Sequence, residues 1–221
     1  MMPFTGRTFR AVLFDNDGTL VNSMPSAMRA WAAWAAEYEV PLSALEGIAG
    51  MPAAAIITKV APHLEPVAAL ARITALELAD TDGVVPLPGA VEAVLATRDC
   101  CAIVTSATAD LAAARLRAAG IPSPTRLVTA DDITRGKPDP QPFLVAAQQL
   151  GVDPAQCLVV EDAPSGLAAG RAAGCATIGL TTELSADQLD ADLVVGTLAD
   201  VVFERTPTGI RVRRVDAARS S

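Results

Sequence analysis

Arg10-Ala11-Val12-Leu13-Phe14-Asp15-Asn16-Asp17-Gly18-Thr19-Leu20 decides the fold of this chain. A short apolar run ends abruptly at Asp15, which reads as a buried strand delivering acidic residues at its tip. Similar runs end at Thr105–Ser106, near Thr129, at Glu161 and at Gly179, and a shorter one is Asp192-Leu-Val-Val. Between them the spacing predicts helices over 89–98, 108–119, 139–150 and 164–173. Strands alternating with helices of this length indicate βαβ units and a parallel sheet covered on both faces, an α/β fold.

Residues 22–86 break that alternation. They hold no convincing strand, only Ala-rich segments of helical length, one carrying Trp31, Trp34 and Tyr38 and another Leu70, Ile73, Leu76 and Leu78. An all-helical insertion after the first strand is expected, with the aromatics as its core. Gly83 and Pro86-Leu87-Pro88-Gly89 mark the return. The core domain is then 1–21 and 87–221, with the insertion at 22–86. Gly166, Gly170 and Gly174 suggest a helix packed closely on the sheet, and Arg211, Arg213, Arg214 and Arg219 read as a solvated basic tail.

Composition narrows the partners. The chain has 221 residues, 17 Lys+Arg against 25 Asp+Glu, a net charge of −8, and 51% hydrophobic residues. An acidic balance argues against nucleic acid, whose backbone needs a clustered basic face. No signal-peptide pattern opens the chain, and no uncharged apolar run reaches the ~20 residues of a membrane span. Cys100, Cys101, Cys157 and Cys175 lack metal-ligand spacing and fit buried thiols in a reducing compartment. A cytoplasmic protein without membrane contact, monomeric or a small homo-oligomer, is expected. The single histidine, His63, leaves little room for His-rich metal sites.

The functional residue types gather where the strands end, and open α/β sheets place their ligands there. Asp15 and Asp17 follow the first strand, and Glu161-Asp162 follow another. If the strands are neighbours, the four acids converge. Two like charges 4 Å apart repel by about 4 kcal/mol at an effective dielectric of 20. Four carboxylates therefore need protons or a counter-ion. Hard oxygen donors without Cys or His point to Mg²⁺. A calcium loop begins with similar spacing, but Ser26 stands where its Glu is required. Lys137, in Arg135-Gly-Lys-Pro-Asp-Pro, adds a fixed positive charge, and Thr105 and Ser106 add hydroxyl and backbone donors. These parts suit phosphoryl transfer: cations for the equatorial oxygens, donors to orient them, one carboxylate to attack and another to move protons. Ser-His hydrolase chemistry has no motif to support it.

Phe14-Asp15-Asn-Asp17-Gly-Thr-Leu20, Val104-Thr-Ser106, Lys137-Pro138 and Val160-Glu-Asp162 resemble the four motifs of the haloacid dehalogenase-like hydrolase superfamily. The insertion is similar to the helical cap of its β-phosphoglucomutase-like branch. Ala102-Ile-Val-Thr-Ser-Ala and Val160-Glu-Asp-Ala-Pro-Ser-Gly-Leu look closest to the bacterial sugar phosphatases there. The resemblance implies a Rossmann-like three-layer core with a parallel sheet. It implies Asp15 as nucleophile and metal ligand, and Asp17 as general acid/base that offers its carbonyl to Mg²⁺. Ser106, the Ala107 amide and Lys137 would hold the phosphoryl group, with Thr105 an alternative to Ser106. Asp162 would complete the metal shell, and Glu161 would join it directly or through water. Asn22 and Ser23 fall at the expected cap hinge.

Within the superfamily, Asp17 and Asp162 speak against a true dehalogenase, which needs neither. A β-phosphoglucomutase keeps a cap histidine ten residues after the acid/base Asp, where Ala27 stands here. Its cap loop carries Lys and Arg around a Gly, whereas Ala49-Gly50-Met51-Pro52-Ala53 is neutral. Both departures remove donors for a second phosphate and favour a phosphatase acting on a small phosphorylated metabolite. The neutral loop also departs from the sugar phosphatases and admits a more apolar phosphoester. A non-catalytic phosphate- or metal-binding protein would show a damaged motif, and none is damaged.

Overall fold

The computed structural model describes residues 6–47, 51–122 and 126–215. In chain order the strands and helices are β1 (Thr8–Phe9), β2 (Ala11–Phe14), β3 (Val21–Asn22), α1 (Met24–Glu37), α2 (Ala53–Val60), α3 (Pro66–Ala79), β4 (Val85–Pro86), α4 (Ala90–Thr97), β5 (Cys101–Val104), α5 (Ala109–Ala118), β6 (Leu127–Val128), α6 (Gln141–Leu150), β7 (Cys157–Glu161), α7 (Pro164–Ala172), β8 (Ala176–Leu180), β9 (Leu193–Val195), β10 (Val201–Thr206) and β11 (Gly209–Arg214). Six of the strands form one parallel sheet, in the order β6-β5-β2-β7-β8-β9. β2 thus lies between β5 and β7, the strands whose ends carry Thr105 and Glu161.

Alternation along these short strands feeds two cores, as the pleat requires. Val12, Phe14, Ile103 and Val160 face a layer that includes Val94 of α4, Leu116 of α5 and Phe203 of β10. Ala11, Leu13, Val104 and Val159 face Phe143 and Ala146 of α6 and Ala169 of α7. The parallel sheet is buried on both sides, which is why its strands read as unbroken apolar runs rather than as alternating ones.

Between β3 and β4 lies the helical cap region, α1–α3, with its own core. Trp34 is fully buried, packs edge-on against Trp31 and donates its indole N–H to the Ala69 carbonyl at 3.0 Å. Glu65 caps α3 by accepting hydrogen bonds from the Val67 and Ala68 amides. The chain leaves and re-enters the core side by side, because Val21 pairs with Pro86 and Asn22 with Val85. That antiparallel ribbon is too short to register as a strand in the sequence.

One expectation is corrected, and another in part. Arg211, Arg213 and Arg214 are not a loose tail: they belong to β11, which pairs with β10 and β1 in a three-stranded antiparallel sheet. Ile210 and Val212 turn inward while Arg211 and Arg213 between and beside them turn out, a two-residue period that was present in the sequence. Arg219 lies outside the described residues. Of the three glycines, Gly166 and Gly170 of α7 meet the expectation of close packing on the sheet, and Gly174 does not. A Cβ on Gly170 would press on Val159 at 3.1 Å, and one on Gly166 would overlap Glu161 Oε1 at 1.7 Å. Gly174 follows the helix at a φ of +85° with open space around it.

Candidate active site

Asp15 directly follows β2, and its amide donates to the Val160 carbonyl at 2.9 Å and so keeps the two strand tips in register. The chain then turns back tightly: Leu20 and Val21 amides both donate to the Asn16 carbonyl, and Gly18 takes a φ of +83°. A Cβ on Gly18 would lie 2.1 Å from Asp162 Oδ2. Only glycine lets the turn and the β7 tip come this close.

Lys137 reaches into the gap between these tips. Its Nζ donates to Asp15 Oδ1 at 2.5 Å, to Glu161 Oε1 at 2.7 Å and to the Val104 carbonyl at 3.0 Å. Asp15, Glu161 and Asp162 are all buried, with carboxylate oxygens within 4.8 Å of one another. Glu161 also accepts from the Asp162 and Ala163 amides at 3.0 and 2.9 Å, and Thr19 Oγ1 donates to Asp162 at 3.2 Å. Burial pushes the Asp15 carboxyl up to about 8, reinforced by Glu161 and Asp17 and opposed by Lys137. Burial, with Glu161 and Asp15 beside it, also raises Asp162 well above the usual range. Burial works against the Lys137 charge, yet Asp15 and Glu161 outweigh it and hold the ammonium firmly protonated. With all three carboxylates ionised, as metal binding requires, one ammonium leaves two negative charges, which a divalent cation on hard oxygen ligands would balance. The donor set fits a metal site.

Asp17 stands apart from this cluster and is met by other donors. Ser23 Oγ donates to its Oδ1 at 2.6 Å, Arg115 Nη1 to the same oxygen at 3.0 Å, and Asn16 Nδ2 to Oδ2 at 3.1 Å. Thr105 is buried, with Oγ1 3.5 Å from Asp17 Oδ2, and accepts the Ala107 amide at 3.0 Å. Ser106 is exposed at the rim of the same site. Asn22 lies in β3, and Ser23 precedes the first residue of α1.

One cavity of about 640 Å³ joins these groups, lined by Asp15, Asp17, Ser106, Ala107, Lys137 and Asp162 on the core side. The cap side contributes Met24, Ala27, Met28, Trp31, Met51 and Ile56, an apolar wall. Of the neutral cap loop, Ala49 and Gly50 lie outside the described residues, while Met51, Pro52 and Ala53 line the cavity. His63 is exposed in the turn between α2 and α3 and does not line it.

Arg115 was missed in the sequence. It stands on α5, is almost fully buried, and bridges Asp17 to Glu77 of α3, each at 3.0 Å. Its partners lie 98 and 38 residues away, so no local pattern could have linked them.

The match to known proteins agrees with this geometry. A family model described as haloacid dehalogenase-like hydrolase matches residues 9–174, which includes every motif named above. The chain belongs to that family. This haloacid dehalogenase-like hydrolase is 36% identical over 209 residues to hexitol phosphatase A of Escherichia coli, covering 90% of this chain and 96% of that protein. It is 34% identical over 176 residues to a fructose-1-phosphate phosphatase of the same organism, covering 75% and 93% respectively. Among solved structures, a hydrolase from Pseudomonas syringae superposes with a TM-score of 0.75 at 27% identity, covering 86% of this chain and 95% of that one. The chain is thus a hydrolase of the phosphatase kind, with a buried acidic site that fits a metal.

Proposed function

We propose that this hydrolase is a Mg²⁺-dependent phosphatase acting on small phosphate monoesters, sugar or polyol phosphates above all, through an aspartyl-phosphate on Asp15. One observation carries the reading: a lysine-braced carboxylate at a strand tip opens onto a cavity that also holds a second, separately anchored carboxylate, Asp17. In the first step an Asp15 oxygen attacks phosphorus, the bond to the ester oxygen breaks, and Asp17 gives that oxygen its proton. In the second, Asp17 takes a proton from water, the water oxygen attacks phosphorus, and inorganic phosphate leaves with the Asp15 carboxylate restored. Ser106, the Ala107 amide and Lys137 hold the phosphoryl oxygens; Thr105, turned toward Asp17 and Ala107, is less suited to this than Ser106.

Asp15, Asp162 and the Asp17 carbonyl would hold Mg²⁺. Glu161, whose two oxygens already accept from Lys137 and two amides, would reach it through water. Bound there, the ion supplies charge neutralisation at the phosphoryl oxygens. Residues 22–86 act as a cap hinged at Asn22 and Ser23, closing to exclude water during the first step. Kinship at 36% and 34% identity with phosphatases named for hexitol and fructose phosphates supports the substrate class. Ala27 lines the cavity where a mutase would carry its histidine, which disfavours phosphosugar mutation.

The decisive assay is turnover of p-nitrophenyl phosphate with and without Mg²⁺. Wild-type protein turns it over only with the ion, and Asp15→Asn abolishes turnover. An unchanged rate in Asp15→Asn overturns the covalent mechanism, and mutase turnover of β-glucose 1-phosphate exceeding its hydrolysis overturns the phosphatase reading.

A further inference from the structure

The cavity is acidic well beyond the metal-binding end. Among the described residues lining it, Lys137 and Arg115 are the cations, while Glu46 and Glu77 from the cap side and Glu183, near Asp162 and Asp17, add carboxylates. Lys137 lies at the phosphoryl end, paired with Asp15 and Glu161. Arg115 is therefore the cation available to the leaving-group half of the cavity, beside Asp17. It is not free. Nη1 is paired with Asp17, and Nη2 with Glu77, which arrives from the cap helix α3. Arg115 and Glu77 side chains are only 8% and 12% exposed, so solvent screens this pair little.

An anionic group on the departing alcohol would meet a guanidinium already held by two carboxylates, with Glu77 as a like charge next to it. We propose that Glu77 is a specificity-determining residue: by holding Arg115 Nη2 it denies the guanidinium to a second anion. The substrate is thereby restricted to phosphomonoesters whose leaving group carries no further phosphate or carboxylate. This rests on the phosphatase reading above, and it gives that reading a substrate boundary. Such rejection comes from a repulsive element, not from better contacts to the preferred ligand.

The test compares fructose 1-phosphate with fructose 1,6-bisphosphate, which differ only in the second phosphate. Wild-type kcat/KM favours the monophosphate. Glu77→Gln keeps the shape of the side chain and narrows the preference by about tenfold or more, through a rise in kcat/KM for the bisphosphate relative to the monophosphate. Glu77→Asp, which keeps the charge, retains most of the preference. A Glu77→Gln enzyme that loses activity equally on both substrates, or keeps the wild-type ratio, overturns the proposal and assigns Glu77 only to holding cap against core. A wild-type enzyme that shows no preference for the monophosphate overturns it as well. If neither ester nor p-nitrophenyl phosphate is turned over with Mg²⁺, the phosphatase reading fails instead. The Glu77 claim is then decided by calorimetric affinities of Asp15→Asn protein, with and without Glu77→Gln, for the same two ligands.

Discussion

At the scale of single residues, the site is a problem of crowded negative charge. Asp15 has its carboxyl near 8 instead of the usual 3.8, chiefly through burial. An acid raised in the folded state binds more protons there than in the unfolded chain between the two values. Metal-free stability from this group is therefore present at low pH and is lost as pH climbs from about 4 to about 8. A cation that binds the same carboxylate must displace that proton. We expect Mg²⁺ affinity to rise with pH through this window and level off above it, with protons released on binding. Titration calorimetry in two buffers of different ionisation enthalpy counts those protons; pH-independent binding would show that Asp15 is already ionised. Asp15, Asp17, Lys137 and Asp162 were legible in the sequence because each sits where an apolar run ends or beside a Pro or Gly that fixes a turn. Arg115 and Glu77 were not, because each lies on an Ala-rich helix whose local pattern says nothing about a partner far along the chain.

At the scale of elements, the cap region depends on few large side chains. Trp34 fills the junction between α1 and α3 and satisfies its indole N–H on Ala69. Truncating a buried aromatic of this size costs about 3–5 kcal/mol. Trp34→Ala should therefore destabilise the cap by that order in urea titrations followed by tryptophan fluorescence from Trp31. A loss below about 1 kcal/mol would mean that α1 and α3 repack freely. Short unbroken apolar runs and the aromatic spacing made the parallel sheet and the cap helices readable. The β10–β11 hairpin was harder: its arginines drew attention as charge, while Ile210 and Val212 between them carried the strand signal. β3 and β4, two residues each, are defined by pairing across the chain and left no local trace.

Across the whole molecule, the metal and the fold share one free-energy ledger. An ion that binds only the folded chain stabilises it by about 2.7 kcal/mol when present at about a hundred times its dissociation constant. In a domain of this size about 1 kcal/mol moves the thermal midpoint by roughly 2–4 °C. Saturating Mg²⁺ should raise the midpoint by several degrees near pH 8, and EDTA should reverse it. Scanning calorimetry checks this, and an unmoved midpoint would argue that the acidic cluster holds no ion.

The pairing of Val21 with Pro86 and Asn22 with Val85 has a consequence for heredity. Because the excursion begins and ends a strand's width apart, its covalent attachment to the core is a two-point socket, to which Glu77 adds the ion pair with Arg115. Closing a longer or shorter excursion changes the loop entropy slowly with its length. Any helical module whose ends meet at that spacing could be exchanged there without shifting the register of β2, β5 or β7. Recombination at this neck would exchange the cap while leaving the acidic cluster of the core in place, provided the new module meets Arg115 as Glu77 does.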